Sequence, residues 1–299
     1  MSEENISEEN ALPIEPADSE QADILEWTRS DIEQRIGFSG GRYTRTNNTF
    51  TFLIALLLSI AFYGAVTQLE GTYFASMFLE RGPIPYFIVF FFMWSLSILF
   101  VKWNKLCFQR RALDVSVLPD QSDFVLSPVT VDDVVAKLFS ITDDPKHFVL
   151  FNRILVALSN LRNLGRVTDV DEMLRSQAEH DEASMETSYS LLKGFVWAIP
   201  VLGFIGTVLG LSQAIGSFGD VLASGAETNQ ITDSLMGVTA GLATAFETTL
   251  EALVAALLIQ FCVTFLRKAE EEFLDDAREY CHRNIVNRLR MMPFEQSLE

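Results

Sequence analysis

Residues 201–216 read "VLGFIGTVLGLSQAIG", a stretch that is apolar enough to cross a membrane but carries four glycines and a threonine. Glycine costs roughly 1 kcal/mol relative to alanine inside a helix, so a helix facing only lipid gains nothing from Gly203, Gly206 and Gly210. Small residues let two membrane helices approach closely, and this packing replaces the hydrophobic drive that is missing in lipid. The stretch therefore predicts a transmembrane helix with one side packed tightly against another helix.

Four apolar segments are long enough to cross a hydrocarbon core of roughly 30 Å. They cover residues 50–69, 84–101, 194–217 and 235–266. The last segment would measure about 48 Å as one helix, so we expect it to project beyond the bilayer. Pro200 lacks a backbone N–H group and is expected to bend the third segment near its entry. The predicted fold class is all-α: a polytopic membrane protein with four transmembrane helices and a cytoplasmic helical stalk.

Basic residues are concentrated on one side of the predicted spans, and cytoplasmic loops are the ones enriched in Lys and Arg. On that side lie Arg42, Arg45, Lys102, Lys105, Arg110, Arg111, Lys193, Arg267 and Lys268. On the opposite side the sequence has Arg81, and residues 218–233 contain no basic side chain. Both termini are therefore predicted to be cytoplasmic.

The first 41 residues differ in composition from the rest of the chain. They contain 11 acidic and 2 basic side chains, which supplies half of the formal charge of −18. Few of them are large and apolar, so we expect residues 1–41 to form a disordered acidic tail. Residues 42–111 would then form a first transmembrane hairpin, 112–193 a cytoplasmic helical region, 194–266 a second transmembrane pair and 267–299 a cytoplasmic C-terminal helix. No glycine or proline lies between Thr168, a candidate cap, and Gly194, so the preceding helix can continue into the third span.

Several classes of function find no support in the sequence. The acidic tail and the lack of a basic, aromatic face argue against nucleic-acid binding. The cysteines and histidines are isolated from one another, at Cys107, Cys262, Cys281, His147, His180 and His282. This spacing predicts reduced thiols rather than disulfides, and solvated histidines rather than a metal site. No nucleophile–base set or phosphate-binding loop is recognisable, so the chain is not expected to be an enzyme.

Polar residues interrupt the third and fourth spans near their centres. Thr207 and Thr249 each lie about midway along a span, and the two helices run antiparallel, so both hydroxyls are expected near the bilayer midplane. One interpretation is that each hydroxyl bonds a carbonyl of its own helix, as is common in membranes. The other is that they serve a functional site.

Glu247 and Glu251 lie four residues apart, on one face of the fourth span. Within a membrane at least one of them should be protonated, paired or hydrated. They could hydrate or relay protons beside a transport path. Alternatively, they could face the first two spans or a subunit contact and bond buried polar groups. Both lie roughly 160–200° around the helix from Thr249, which favours the second interpretation over direct contact with a path at that threonine.

Residues 198–211, "AIPVLGFIGTVLGL", and 237–257, "GVTAGLATAFETTLEALVAAL", resemble the two signature segments of the MotA/TolQ/ExbB proton-channel family. The first contains the family's Pro-x-x-Gly-x-x-Gly-Thr-Val-x-Gly run and the second its Gly-Leu-x-x-Ala-Phe/Leu-x-Thr-Thr pattern. The resemblance covers about residues 165–275, and the four-span layout is more similar to flagellar MotA than to the three-span ExbB and TolQ. The sequence departs from the family pattern at Thr244, where ExbB-like members have glutamate, and at Ala252, where many members have glycine.

The resemblance implies a homopentamer whose third and fourth spans form a pore around a dimer of a single-span partner of the MotB/TolR/ExbD type. Such a stator subunit, embedded in lipid of the bacterial inner membrane, would couple the proton-motive force to rotation or mechanical work. The partner would supply the protonatable aspartate, so no cofactor is implied. A proton is the expected cation, with Na⁺ left open, and the machine that receives the work is left open as well.

Matched residue by residue, the resemblance implies an ion pathway at Thr207 and Thr249, with Thr248 adjoining. We add Glu247 and Glu251 as candidate residues beside this pathway. Packing of the pore helix and a hinge are implied at Pro200, Gly203, Gly206, Gly210 and Gly241. The alternative function is a non-conducting helical membrane scaffold that organises an envelope complex, because packing through small residues and intramembrane threonines suit any helical oligomer.

Overall fold

The computed structural model describes residues 25–69, 71–118, 126, 130–164, 167–223 and 228–289. Throughout that part of the chain the regular elements are helices, joined by turns and two isolated β-bridges. The α-helices are α1 (Trp27–Ser30), α2 (Ile32–Arg35), α3 (Asn48–Thr67), α4 (Tyr73–Leu79), α5 (Ile84–Arg110), α6 (Val131–Ile141), α7 (Val149–Leu164), α8 (Val167–Ser188), α9 (Ser190–Ala223) and α10 (Thr228–Asn284). The predicted all-α class is confirmed.

Helices α3, α5, α9 and α10 are long and apolar enough to cross a membrane, which confirms the four predicted spans. Helix α3 begins and ends two residues before the predicted first span, and the other three helices contain their predicted spans. Helix α9 has 34 residues and α10 has 57. They are therefore about 51 and 85 Å long, and both exceed a hydrocarbon core of about 30 Å.

The two long helices carry the membrane bundle into the stalk. Helix α8 leads into α9 through a turn at Tyr189, so the helix before the third span does continue into it. Helix α9 also runs on through Pro200 without a break in its helical assignment. Helix α10 passes Arg267 and ends only at Asn284, so the predicted domain boundary after residue 266 is not a break in the fold.

The region between the second and third spans has a hydrophobic core of its own. Helices α6, α7 and α8 pack there against the last turns of α10. Phe148, Phe151 and Ile154 are completely buried, and Ala277 of α10 closes the core from the other side. This core holds the end of α10 against α6, α7 and α8. The stalk is therefore a packed domain rather than a free helical extension.

Residues 25–41 show that the prediction of a disordered tail over residues 1–41 is wrong in its last part. Trp27 is 1% exposed and stacks on His147 with ring centroids 5.4 Å apart. Glu33 is completely buried, and its carboxylate lies 2.6 Å from Nζ of Lys105, near the C-terminal end of α5. Composition alone suggested disorder because it does not show that Asp31 and Glu33 meet a buried lysine. Residues 1–24, the rest of the predicted tail, lie outside the described residues.

A second buried ion pair lies at the same end of the bundle. Nζ of Lys102 lies 3.1 Å from Glu270 of α10 and 4.4 Å from the ring centre of Tyr189. The Tyr189 hydroxyl donates a 2.6 Å hydrogen bond to the same carboxylate. Burial, reinforced by the Glu270 charge, raises the pKa of Tyr189, so this hydroxyl keeps its proton. The pairing joins α5 and α10 to the turn between α8 and α9.

Candidate functional site

Gly203, Gly206 and Gly210 of α9 face α10 of the same chain. A methyl group on Gly203 would lie 2.5 Å from Cβ of Ala252, one on Gly206 2.6 Å from Oγ1 of Thr248, and one on Gly241 2.5 Å from Cβ of Ala214. A methyl group on Gly210 would lie 3.0 Å from the carbonyl oxygen of Gly241. These distances leave no room for a side chain, so the glycines allow the backbones of α9 and α10 to meet. We call this contact the glycine seam.

Thr207 and Thr249 meet across the glycine seam. Their hydroxyl oxygens are hydrogen-bonded to each other. The Thr207 hydroxyl also lies 3.2 Å from the Gly203 carbonyl and 3.1 Å from the Ala245 carbonyl, and the Thr249 hydroxyl lies 3.1 Å from each of the same two carbonyls. Each hydroxyl thus reaches a carbonyl of its own helix, as the first interpretation expects, and a carbonyl of the opposite helix as well.

This cluster has more acceptors than protons. Each hydroxyl can donate one hydrogen bond and can accept two, whereas the cluster offers two carbonyls and the other hydroxyl as acceptors. The two protons of Thr207 and Thr249 can therefore be distributed in more than one way without moving either helix. Both side chains are only partly buried, so a hydroxyl oxygen can also turn toward a species outside the seam.

Thr248 lies deeper than its neighbour. It is 1% exposed, and its hydroxyl bonds the carbonyls of Thr244 and Ala245 on its own helix, at 3.0 and 3.2 Å. The side chain packs against Gly206, where a methyl group would also approach Ile84 of α5. Thr248 therefore fills the junction of three helices and lies beside the Thr207–Thr249 pair rather than within it.

Glu247 is paired with the hairpin that joins the first two spans. Its Oε2 lies 2.6 Å from Nε of Arg81, and its Oε1 accepts hydrogen bonds from Arg81, at 3.3 Å, and from the Tyr73 hydroxyl, at 2.5 Å. Arg81 also donates a 3.3 Å bond to the Thr244 hydroxyl. The side chains of Arg81 and Glu247 are 19% and 12% exposed, so the pair is largely removed from solvent.

Glu251 lies one turn further along α10 and has a different environment. The residue is 8% exposed, and neither carboxylate oxygen has a hydrogen-bond partner among the residues that the structure describes. The side chains of α3, α4 and α5 that line the cavity beside it are apolar. Both carboxylates thus lie on the side of the first two spans, where Glu247 is satisfied and Glu251 is not.

The structure brings Thr207, Thr249 and Thr248 together and places Glu247 and Glu251 on another side of α10. Arg81 and Tyr73 were not recognised from the sequence as members of this region. A signal for Arg81 was present, because it is the basic residue on the side of the membrane that otherwise lacks them. An intramembrane carboxylate needs a partner, so pairing of Glu247 with Arg81 could have been inferred.

The outward faces of α9 and α10 are apolar and uncovered within one chain. Phe204 and Val208 of α9 are 64% and 51% exposed, and Phe246 and Leu253 of α10 are 64% and 53% exposed. These side chains border the glycine seam, so they are available to lipid or to further helices. In the described part of the chain no three His, Cys, Asp or Glu side chains are grouped as metal ligands.

Comparison with known proteins gives one result for this region. Residues 150–279 match the sequence profile of the MotA/TolQ/ExbB proton channel family, and this segment includes the glycine seam and the threonine pair. Searches of curated proteins and of solved structures gave no match.

Proposed function

We propose that the chain is the pore-forming stator subunit of an ion-driven motor, because residues 150–279 match the MotA/TolQ/ExbB proton channel family. Five copies would surround a dimer of a single-span MotB/TolR/ExbD-like partner, with α9 and α10 of each copy lining the pore. Proton flow through that pore would drive rotation or mechanical work on the partner. The bacterial inner membrane is the proposed location, with both termini in the cytoplasm.

One observation supports this proposal most directly: Thr207 and Thr249 form a partly buried hydroxyl cluster in the middle of an otherwise apolar contact. Hydroxyls that can exchange donor and acceptor roles suit the transient hydration of a passing cation. In lipid, small-residue packing by itself needs no such polar group. We therefore assign the ion-contacting role to Thr207 and Thr249.

The remaining candidates receive supporting roles in the proposal. Thr248 is buried against Gly206 and would keep the paired threonines in register. Glu247 would anchor the outer hairpin through Arg81, and its charge would be neutralised there. Direct relay of protons through Glu247 or Glu251 would require these side chains to leave their present surroundings. We therefore do not place either carboxylate on the ion pathway of the resting protein.

The apolar, uncovered faces of α9 and α10 support assembly. Side chains such as Phe204 and Phe246 border the seam and would pack against neighbouring copies or against the partner helices. Association in a membrane relies on close packing and on lipid release rather than on the hydrophobic effect. A ring of five chains would present alternating α9 and α10 faces to its axis.

Purification and a flux assay test the proposal together. The chain purified in detergent should have five times the 33.6 kDa mass of one chain by native mass spectrometry. A tagged chain should retain from native membranes a protein with one transmembrane helix and an aspartate near the start of that helix. Inverted vesicles containing both proteins should dissipate an imposed pH gradient, and those with Thr207→Val should do so at least tenfold more slowly.

The alternative is a non-conducting scaffold, which the threonine pair permits because its hydroxyls can all be satisfied by carbonyls of the seam. A partner complex that assembles normally but leaves the gradient intact would favour the scaffold. A stable monomer or dimer, with no partner retained, would contradict both the pentamer and the motor.

A further inference from the structure

An apolar cavity lies between α10 and the hairpin formed by the first two spans. Its volume is about 320 Å³, and its walls come from α3, α4, α5 and α10. Aromatic and thioether side chains dominate these walls, namely Phe62, Phe74, Phe78, Phe92, Met77 and Met93. A volume of this size is at the lower end of the roughly 300–1,000 Å³ found for small-molecule sites.

Glu251 is the charged residue among the lining side chains of this cavity. The residue is more than nine-tenths buried, and both carboxylate oxygens lack a hydrogen-bond partner within the described ranges of the chain. A carboxylate left without a partner in apolar surroundings carries a large desolvation cost. The group therefore requires either a proton or a cation brought from outside the chain.

The neighbouring carboxylate shows how the same helix satisfies this requirement elsewhere. Glu247, one turn earlier, is paired with Arg81 at 2.6 Å and accepts a hydrogen bond from Tyr73. Among the described residues, no basic side chain lines the Glu251 cavity. The cavity thus combines an unsatisfied acceptor with walls that suit a hydrophobic body.

We propose that the Glu251 cavity binds a lipophilic amine, a function separate from ion conduction. The ammonium group would donate hydrogen bonds to both oxygens of Glu251, and the alkyl body would lie against the phenylalanines and methionines. Aromatic rings attract a cation through their faces, and this attraction grows when water is excluded. Methionine adapts its shape to ligands of different outline, so the site would accept a class of amines rather than one compound.

Other occupants fit the cavity less well. A lipid acyl chain or a neutral alkane would fill the space but leave both Glu251 oxygens unsatisfied. An alcohol of the same length could donate a single hydrogen bond and would bring no charge. A protonated amine supplies both hydrogen bonds and a positive charge. Buried carboxylates are tolerated when their charge is paired and hydrogen-bonded in this way.

Binding can be measured with the full-length protein in phosphatidylcholine nanodiscs. Radiolabelled octylamine is the probe, and octanol of equal chain length is the neutral comparison. We expect saturable binding of about one octylamine per chain after subtraction of empty nanodiscs, and at least tenfold weaker binding of octanol. Glu251→Gln, which keeps the shape of the side chain, should weaken octylamine binding at least tenfold.

Two further variants locate the site. Val254 lines the cavity and is 48% exposed, so Val254→Trp should fill the space and abolish binding without disturbing the core. Leu257 lies on the same helix, is 56% exposed and does not line the cavity, so Leu257→Trp should bind octylamine like the wild type. Equal binding of octanol and octylamine, or unchanged binding by Glu251→Gln, would overturn the proposal. Binding that disappears when chains assemble would also overturn it, because a second copy would then be the occupant.

Discussion

The hydroxyl of Thr207 in α9 is hydrogen-bonded to the hydroxyl of Thr249 in α10, and the two share the carbonyls of Gly203 and Ala245. This arrangement depends on the glycine seam, because only a close approach of the two backbones puts each hydroxyl within reach of the opposite carbonyl. The glycines and the threonines therefore form one structural unit. The glycine seam sets the distance between the backbones of α9 and α10, and the two hydroxyls lie between them.

Replacing either threonine by valine tests the energetic contribution of the pair. Valine keeps the branched shape but removes the hydroxyl, so Thr207→Val and Thr249→Val should each destabilise the fold by about 1 kcal/mol, as interhelical hydrogen bonds in membranes do. The double variant should lose less than the sum, because the first change already removes their mutual bond. Reversible unfolding in detergent by SDS titration measures all three.

Thr264→Val provides the matched control for this cycle. Thr264 lies in the same helix, is exposed and donates a 2.8 Å hydrogen bond to the carbonyl of Gln260, within its own helix. Its replacement should change the stability by less than about 0.5 kcal/mol. Strict additivity of the Thr207 and Thr249 variants would contradict an energetic coupling between the two hydroxyls.

The seam itself can be tested with one methyl group. In Gly203→Ala the new Cβ would meet Ala252 at 2.5 Å, so the helices must separate and the fold should lose about 1–3 kcal/mol. Gly216→Ala places the same group on the same helix where no described atom lies within 4 Å. That control should be neutral or stabilise by up to about 1 kcal/mol, since alanine is the better helix former. Equal melting temperatures of the two variants would argue against a close contact at Gly203.

Sequence reasoning recovered the spans and the seam because both depend on local composition. A long apolar run predicts a span wherever it occurs, and glycines spaced three and four residues apart lie on one side of a helix. The pairing of Glu33 with Lys105 could not be read in this way. It joins residues far apart in the chain, and the acidic composition around Glu33 concealed that a lysine at the end of α5 neutralises it.

The surroundings of the two carboxylates in α10 likewise could not be predicted from local sequence patterns alone. Their spacing correctly placed Glu247 and Glu251 on one face, away from Thr249. Which of them finds a partner depends on the loop before α5, whose conformation sets the position of Arg81. Helical periodicity carries no information about that loop.

Breaking the Arg81–Glu247 pair should destabilise the outer hairpin. Arg81→Met leaves Glu247 with the Tyr73 hydrogen bond but without a compensating charge, and we expect a loss of about 2–3 kcal/mol, somewhat less than for a fully buried pair. The double variant Arg81→Met/Glu247→Gln removes both charges and should recover at least half of that loss. Thermal unfolding in detergent compares the variants, and a double variant as unstable as Arg81→Met would contradict the explanation by charge.

The attachment of the N-terminal segment should depend on pH through Asp143. Burial opposes ionisation of this carboxylate, but hydrogen bonds from the Thr28 hydroxyl and from the amides of Thr28, Trp27 and Asp144 outweigh it and lower its pKa from 3.8 to about 2. A carboxylate with a lowered pKa in the folded state contributes stability that is fully present above its unfolded value. That contribution is lost as the pH falls toward 2. Residues 25–30 should therefore stay attached at pH 5 and detach progressively between about pH 4 and pH 2.

Hydrogen exchange of the Trp27 and Thr28 amides, corrected for the intrinsic pH dependence of exchange, measures this attachment, because both amides donate to Asp143. Asp143→Asn should expose both amides already at pH 5 and should flatten the profile below it. Asp132→Asn is the matched control, since Asp132 forms an exposed pair with Arg162 and lies away from the segment. Protection that persists to pH 2 in the wild type would mean that burial of Trp27 holds the segment without the Asp143 carboxylate.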